Sequence, residues 1–210
     1  MSSQKVVVGI DIGSSKIRTV VGVTEDKKSE INILGVGVVE SEGIRRGMIA
    51  DLEEAISNIT SSLDDAERMG GENIHRAFIS ASGNHIETYD SKGVIAINGN
   101  NAEITQDDVD RVLDAAKAVS LPSNQDILKI IPKSFAVDNQ RNVKYPVGMT
   151  GIRLEVEAHI ITAQTSAKKN VEKCMYQCGI DVQEIIPSVL ACSEAILDRK
   201  QKVYSRRSFC

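Results

Sequence analysis

The chain opens with three strand-like runs before its first helix, and that order excludes most α/β folds. Lys5 to Val23 reads as a β-hairpin: Val6, Val8 and Ile10 alternate with Val7, Gly9 and Asp11, and Ile17 to Val23 continues after Gly13-Ser14-Ser15-Lys16. β-Branched residues fill both arms, as a pleated surface favours. Glu25 to Glu30 is a charged turn, and Ile31 to Val39 is a third strand whose Gly35 and Gly37 mark close backbone approach or a bulge. Three strands of antiparallel type, followed by strand–helix alternation, define a mixed sheet, whereas a Rossmann sheet alternates from its start.

Glu40 to Gly47 reads as a loop, and Asp51 opens a helix to Met69. Its residues Leu52, Ala55, Ile56, Ile59, Leu63 and Ala66 recur at helical spacing, and Gly70-Gly71 stops it. Arg76 to Ala81 is a strand ended by Ser82-Gly83-Asn84. From Asn84 to Glu157 the pattern becomes that of a small α+β insert. It holds a short strand (Val94 to Ile97), a helix from a Thr105/Asp108 capping box to Val119, and strands at Ile127 to Val137 and Ile152 to Glu157. Ala158 to Ala163 returns to buried-strand character. Ser166 is expected to cap a helix to Cys178, Ile180 to Ile186 is a strand stopped by Pro187, and Ser188 is expected to cap a final helix, Val189 to Leu197. Asp198 to Cys210 is basic and polar, without amphipathic period.

Composition narrows the function classes. Of 210 residues, 41% are hydrophobic and 26% charged, an ordinary globular balance. A net charge of -4 gives no global basic field for nucleic acid, and 3% aromatics leave no stacking platform for single strands. No apolar run approaches a membrane span, and Met1 to Gln4 has no signal-peptide layout. Cys174, Cys178, Cys192 and Cys210 all fall near the end, where a disulfide scaffold would spread them; a cytoplasmic protein is expected.

The segment with most chemistry is Gly9-Ile10-Asp11-Ile12-Gly13-Ser14-Ser15-Lys16-Ile17. Small residues let backbone N–H groups converge on an anion, serine hydroxyls add donors, and Lys16 is a point charge for phosphate. Asp11 is placed to hold Mg2+ through water, an ion that sheds its shell reluctantly. A Walker P-loop is a poor match, because the spacing differs and a strand follows rather than a helix. A plain Gly-Ser turn with incidental charges is the alternative reading of these residues alone.

This strand-turn-strand resembles the first phosphate motif of the actin, Hsp70 and hexokinase ATPase superfamily. Ile185-Ile186-Pro187-Ser188-Val189-Leu190-Ala191-Cys192-Ser193-Glu194-Ala195 is similar to that superfamily's first connecting segment. The match tightens to the bacterial cell-division FtsA family at Ile33-Leu34-Gly35-Val36-Gly37, Ser41-Glu42-Gly43-Ile44-Arg45-Arg46-Gly47 and Ile79-Ser80-Ala81-Ser82-Gly83-Asn84-His85. It continues at Ile104-Thr105-Gln106-Asp107-Asp108-Val109, Ile131-Pro132-Lys133-Ser134-Phe135 and Pro146-Val147-Gly148-Met149-Thr150-Gly151, so that residues 5 to 197 are covered.

The resemblance implies an α/β, actin-like (ribonuclease H-like) first lobe with a mixed sheet, interrupted by an SHS2-type insert called subdomain 1C. Residues 1–83 and 158–197 would form subdomain 1A, 84–157 subdomain 1C, and 198–210 a tail unlike the family. It further implies ATP and Mg2+, with Asp11, Gly13, Ser14, Ser15 and Lys16 lining the phosphate end and Asp11 on the metal. The family polymerises and anchors the FtsZ ring to the cytoplasmic membrane face, so FtsZ, self-association and later division proteins, met through 1C, are the implied partners; nucleic acid is not. The second phosphate motif, the adenosine motif, the second lobe and the membrane helix of the family are absent from these residues. A truncated or frameshifted product is therefore expected, with weak ATP binding, no useful hydrolysis and no direct membrane anchor. A pilus-assembly ATPase-like protein with the same insert, a sugar kinase and a non-nucleotide interaction module are the competing readings.

Other features have structural readings. Cys174 and Cys178 share an apolar helix face with Val171 and Met175, Cys192 lies in a small-residue helix, and His75, His85 and His159 lack ligand spacing. Asp107, Asp108 and Asp110 suit the positive end of a helix dipole, Arg45 and Arg46 a surface loop, and no Ser/His/Asp or Cys/His set serves nucleophilic catalysis.

Overall fold

The computed structural model describes residues 4–25, 30–98, 102–118, 121–198 and 201. In chain order the elements are β1 (Gln4–Ile12), β2 (Lys16–Glu25), β3 (Ile31–Glu40), β4 (Ile44–Arg45), β5 (Met48–Ile49), α1 (Leu52–Gly70), β6 (Arg76–Ala81), β7 (Ile86–Ala96), α2 (Gln106–Lys117), β8 (Gln125–Val137), β9 (Gln140–Val143), β10 (Arg153–Gln164), α3 (Thr165–Gln177), β11 (Asp181–Pro187) and α4 (Ser188–Ile196). They form two compact units, residues 1–85 with 166–210, and residues 86–165.

The first unit is built on a five-stranded sheet of order β11-β6-β1-β2-β3. β1 is antiparallel to β2 and parallel to β6, β2 is antiparallel to β3, and β11 is parallel to β6. This is the mixed sheet that the run of three strands demands. Cross-strand pairs Val8/Val21, Ile10/Thr19 and Ile12/Ile17 are all buried, as are Ala77, Ile79 and Ala81 of β6. α1 buries Ala55, Ile59, Leu63 and Ala66. Its backbone rests on bare strand: a Cβ at Gly37 would stand 1.8 Å from the Ser62 carbonyl oxygen, and one at Gly35 2.3 Å from that of Ala66. The buried Ser62 hydroxyl is satisfied by donating to Thr19 Oγ1 at 2.8 Å. Asp51 caps α1 by accepting from Glu54 N–H, and left-handed Gly71 (φ 69) closes it, its N–H bonding Glu67 O.

The expected Glu40 to Gly47 loop contains part of a small hairpin, β4 with β5. Ser188 does not cap α4: Pro187 holds the N-cap position, with no side-chain bond. α3 starts at Thr165, one residue before the expected cap at Ser166.

The second unit is a four-stranded antiparallel sheet, β7-β10-β8-β9, with α2 packed on it. Its core is Ile97, Ile104, Val109, Val112, Ala116, Phe135, Val137, Val143, Leu154, Val156 and Ala158. This unit corrects the insert boundary of 84–157 and the assignment of 158–163 to the first lobe. β10 runs unbroken from Arg153 to Gln164 and pairs with β7 and β8 along that length, so the unit extends to residue 165. The expected short strand at Val94 to Ile97 is the end of an eleven-residue β7. The core side of β7 carries Ser91 and Gly93, where a Cβ at Gly93 would meet the Val112 carbonyl oxygen at 2.2 Å, so no apolar alternation marks it. Pro132 is tolerated in β8 because β9 pairs only beyond it, at Phe135 and Val137.

The capping box of α2 forms as expected. Asp108 N–H donates to Thr105 Oγ1 at 3.3 Å, and Thr105 N–H donates to Asp108 Oδ2 at 3.0 Å. The Thr105 backbone N–H, then its hydroxyl, then Arg111 hold the Asp108 carboxyl below its ordinary 3.8. A carboxyl with a depressed folded pKa contributes stability above its unfolded pKa and loses it as pH falls through the folded one. Asp108→Asn is therefore expected to destabilise the chain by about 1 kcal/mol at pH 7. That deficit should shrink once pH falls below 3.8, as urea melts at several pH values would report.

Asp198 and Gln201 exchange hydrogen bonds; the rest of the expected tail over 198–210 lies outside the described residues. Among the described residues, no helix is long and apolar enough to cross a membrane.

Candidate functional site

The pairing of β1 with β2 ends at Ile12/Ile17, which leaves residues 13–16 as the connection. Gly13 is required there, because a Cβ would stand 2.7 Å from the Lys16 carbonyl oxygen. Ser14 and Ser15 are exposed and Lys16 is half-buried. The Ser14 oxygen accepts the Gly47 N–H at 2.9 Å, which leaves its own proton to donate elsewhere. Ser15 carbonyl oxygen accepts Ser41 N–H at 2.9 Å. The tip of the β4–β5 hairpin thus props the turn, and Gly47 (φ 77) allows it, since a Cβ would stand 1.6 Å from the Ser82 carbonyl oxygen.

Asp11 lies on the sheet face opposite the buried Ile10 and Ile12. The parallel register sets it beside Ser80, and pairing of Pro187 with Ala81 brings the start of α4 to the same sheet end. Ser80 Oγ donates to Asp11 Oδ1 at 2.9 Å, and the Ser188 and Ser80 oxygens are 2.6 Å apart. Arg18, across the hairpin, donates from Nη1 to Asp11 Oδ2 at 3.3 Å. Lys16 Nζ lies 3.2 Å from Glu40 Oε1, with side chains 42% and 77% exposed. So open a pair is worth little, and its lysine is available to a stronger anion.

The five residues singled out in the sequence therefore share one sheet end. Arg18, Ser80, Ser188 and Gly47 join them and were not singled out as site residues. A hairpin closing at Ile12/Ile17 already places residue 18 across from residue 11, so Arg18 was readable; the others depend on parallel register and loop packing.

The arrangement offers an anion a lysine, two exposed hydroxyls and a glycine turn beside one carboxylate. Its chemistry suits a hydrated Mg2+ ion, the cation expected from the sequence. Each carboxylate oxygen of Asp11 accepts one protein donor and keeps lone-pair capacity for metal-bound water. Among the described residues, no cluster of three or more His, Cys, Asp or Glu side chains forms an all-protein cage. Mg2+ is usually held by one or two carboxylates plus phosphates and retained waters, and Asp11 would supply one such carboxylate.

The remaining candidates behave structurally. Cys174 is buried, and its bond to Cys178, followed by that burial, raises its thiol pKa. Cys178 is half-buried and its thiol is lowered by the bonds it receives from Cys174 and Thr60. His85 is buried and its pKa is lowered by that burial, while His159 Nδ1 lies 2.6 Å from Asp90 in the second unit. Cys210 lies outside the described residues.

These features define the first lobe of an actin-like fold carrying an inserted SHS2 domain. The solved PilM-PilN type IV pilus biogenesis complex matches the fold at TM-score 0.62, over 90% of this chain and 49% of that one, at 11% identity. The profile described as "SHS2 domain inserted in FTSA" matches residues 83–162. Cell division protein FtsA of Pseudomonas aeruginosa is 38% identical over 203 residues, which is 96% of this chain and 48% of that protein. Those of Bacillus subtilis and Escherichia coli (strain K12) are 38% and 34% identical over 96% of the chain, covering 46% and 47% of those proteins. The chain is similar to FtsA proteins along nearly all of its length, and it spans about half the length of the curated relatives it matches.

Proposed function

We propose that the chain supplies the phosphate-binding part and the SHS2 part of an FtsA-type scaffold of bacterial cell division. Asp11, Gly13, Ser14, Ser15 and Lys16 line the phosphate end of an Mg-ATP site. Lys16 and the serine hydroxyls hold phosphate oxygens, and Asp11 holds the Mg2+ that neutralises phosphate charge when bound. Self-association and later division proteins use the SHS2 region, residues 86–165; FtsZ and the cytoplasmic membrane face are the wider assembly. The observation that carries the reading is identity of 34–39% to FtsA proteins along some 95% of the chain. The pilus alternative shares the fold at 11% identity, so sequence favours division.

Nucleotide binding by the 210-residue chain itself is weak, because a single turn supplies its phosphate donors. Hydrolysis is negligible. Calorimetry giving a micromolar or tighter Mg-ATP dissociation constant would overturn this.

The scaffold role is tested by replacing residues 86–165 with a short linker, which is feasible because Ile86 and Ala163 are register partners. Binding to purified cytoplasmic segments of late division proteins is expected to be lost. Undiminished binding would argue against the SHS2 region as their contact.

A further inference from the structure

We infer that Ser80 and Ser188 position the Asp11 carboxylate for the metal side of the site, an inference that rests on the nucleotide reading above. The direction of the chain of bonds follows from proton counting. A serine hydroxyl has one proton, and that of Ser80 is given to Asp11 Oδ1 at 2.9 Å. The 2.6 Å bond to Ser188 must then be donated by Ser188. Three segments distant in sequence thus form one relay, Ser188 to Ser80 to Asp11, running across the ends of three parallel strands.

The relay is the firmer of the two restraints on Asp11. Ser80 and Ser188 are half-buried, whereas Arg18 reaches the other oxygen at 3.3 Å with side chains 50% and 39% exposed. Screening by water leaves such a pair little hold on the carboxylate torsion. Ser80, fixed by strand register, holds Oδ1 and so sets the direction of the remaining lone pairs. Ser188 opens α4 on a helix whose N-cap is Pro187 with no side-chain bond; its hydroxyl turns to the sheet. The start of α4 is in this way tied to the carboxylate that faces metal-bound water, and the two serines act through Asp11 without themselves meeting phosphate.

The test is the Mg2+ dependence of ATP binding, followed by NMR on the whole chain for wild type, Ser80→Ala, Ser188→Ala, the double variant and Ser80→Thr. Each alanine variant is expected to raise the Mg2+ concentration needed for half-maximal binding about threefold to tenfold, the scale of one net hydrogen bond acting through its neighbour. ATP binding without Mg2+ should stay unchanged. The double variant should be no worse than Ser80→Ala, because Ser188 acts through Ser80, and Ser80→Thr should restore the wild-type requirement. Independently of any ligand, the Asp11 carboxyl carbon resonance should move in both Ser80→Ala and Ser188→Ala. An unmoved resonance in Ser188→Ala, additive effects, or equal loss without Mg2+ would overturn the relay. If wild type binds ATP and Lys16→Ala weakens it while the Mg2+ requirement stays fixed, the relay alone has failed. If wild type binds no ATP at all, the nucleotide reading has failed and the relay's role with it.

Discussion

Gly37→Val is expected to cost about 3 kcal/mol or more and to leave the first unit largely unfolded at physiological temperature. The mechanism is steric. At Gly37 even a Cβ would lie 1.8 Å from the Ser62 carbonyl oxygen and 3.1 Å from Ala66 N, so the obstacle is helix backbone that no rotamer change relieves. Either α1 lifts from β3 or the strand bends, and in both cases the buried face of Ala55, Ile59, Leu63 and Ala66 is opened. The Ser62–Thr19 hydroxyl bond is lost with it, which leaves buried polar groups unpaired. Gly9→Ala is the matched control in the same sheet, because a Cβ there meets nothing within 4 Å. It should leave the melting temperature nearly unchanged. Circular dichroism melts of both variants check the contrast; equal behaviour would show that α1 does not sit on β3 as described.

Lys16→Ala is expected to weaken Mg-ATP binding about tenfold or more, the scale of one charge-assisted hydrogen bond to phosphate. Lys16 is the cation of the turn, and its present partner, Glu40, is 77% exposed and holds it loosely. On the proposed reading Glu40 competes with phosphate for the ammonium group. Glu40→Gln should tighten binding severalfold at low salt, and the gain should fade as ionic strength rises. In the double variant Glu40→Gln brings no gain, since no ammonium group remains to be released. Calorimetric titration of the four proteins checks the set. A Glu40→Gln benefit that survives loss of Lys16 would place the competition elsewhere.

How far the chain was legible depended on whether a feature was local. The β1–β2 hairpin and α1 were readable because each residue's neighbours reveal its burial: alternation in one case, helical spacing with Asp51 and Gly71 at the ends in the other. Gly35 and Gly37 signalled close backbone approach or a bulge, without saying which element approaches. β7 was largely missed because its buried side is occupied by Ser91 and Gly93, small residues that make room for α2 and erase the apolar period. The stretch 158–163 was assigned to the wrong sheet, since its Ile and Ala content suits either; what decides is β10 running on through the register shift at Glu157/Ala158. Ser188 illustrates the limit at the site. A serine after Pro187 has the composition of a cap, and only the parallel pairing of β11, β6 and β1 turns its hydroxyl toward Ser80. The candidate phosphate turn itself was readable because its residues are contiguous, while its supports come from strands distant in sequence.

The central claim is that the turn after β1 receives nucleotide phosphate. Amide NMR of the isotope-labelled chain, titrated with Mg-ATP, tests it most directly. The account predicts shifts concentrated at Asp11, Gly13, Ser14, Ser15 and Lys16, with a dissociation constant near ~1 mM, an affinity of about 4 kcal/mol. Resonances of these residues that stay fixed up to about 10 mM Mg-ATP, ten times that constant and close to saturation, would contradict it.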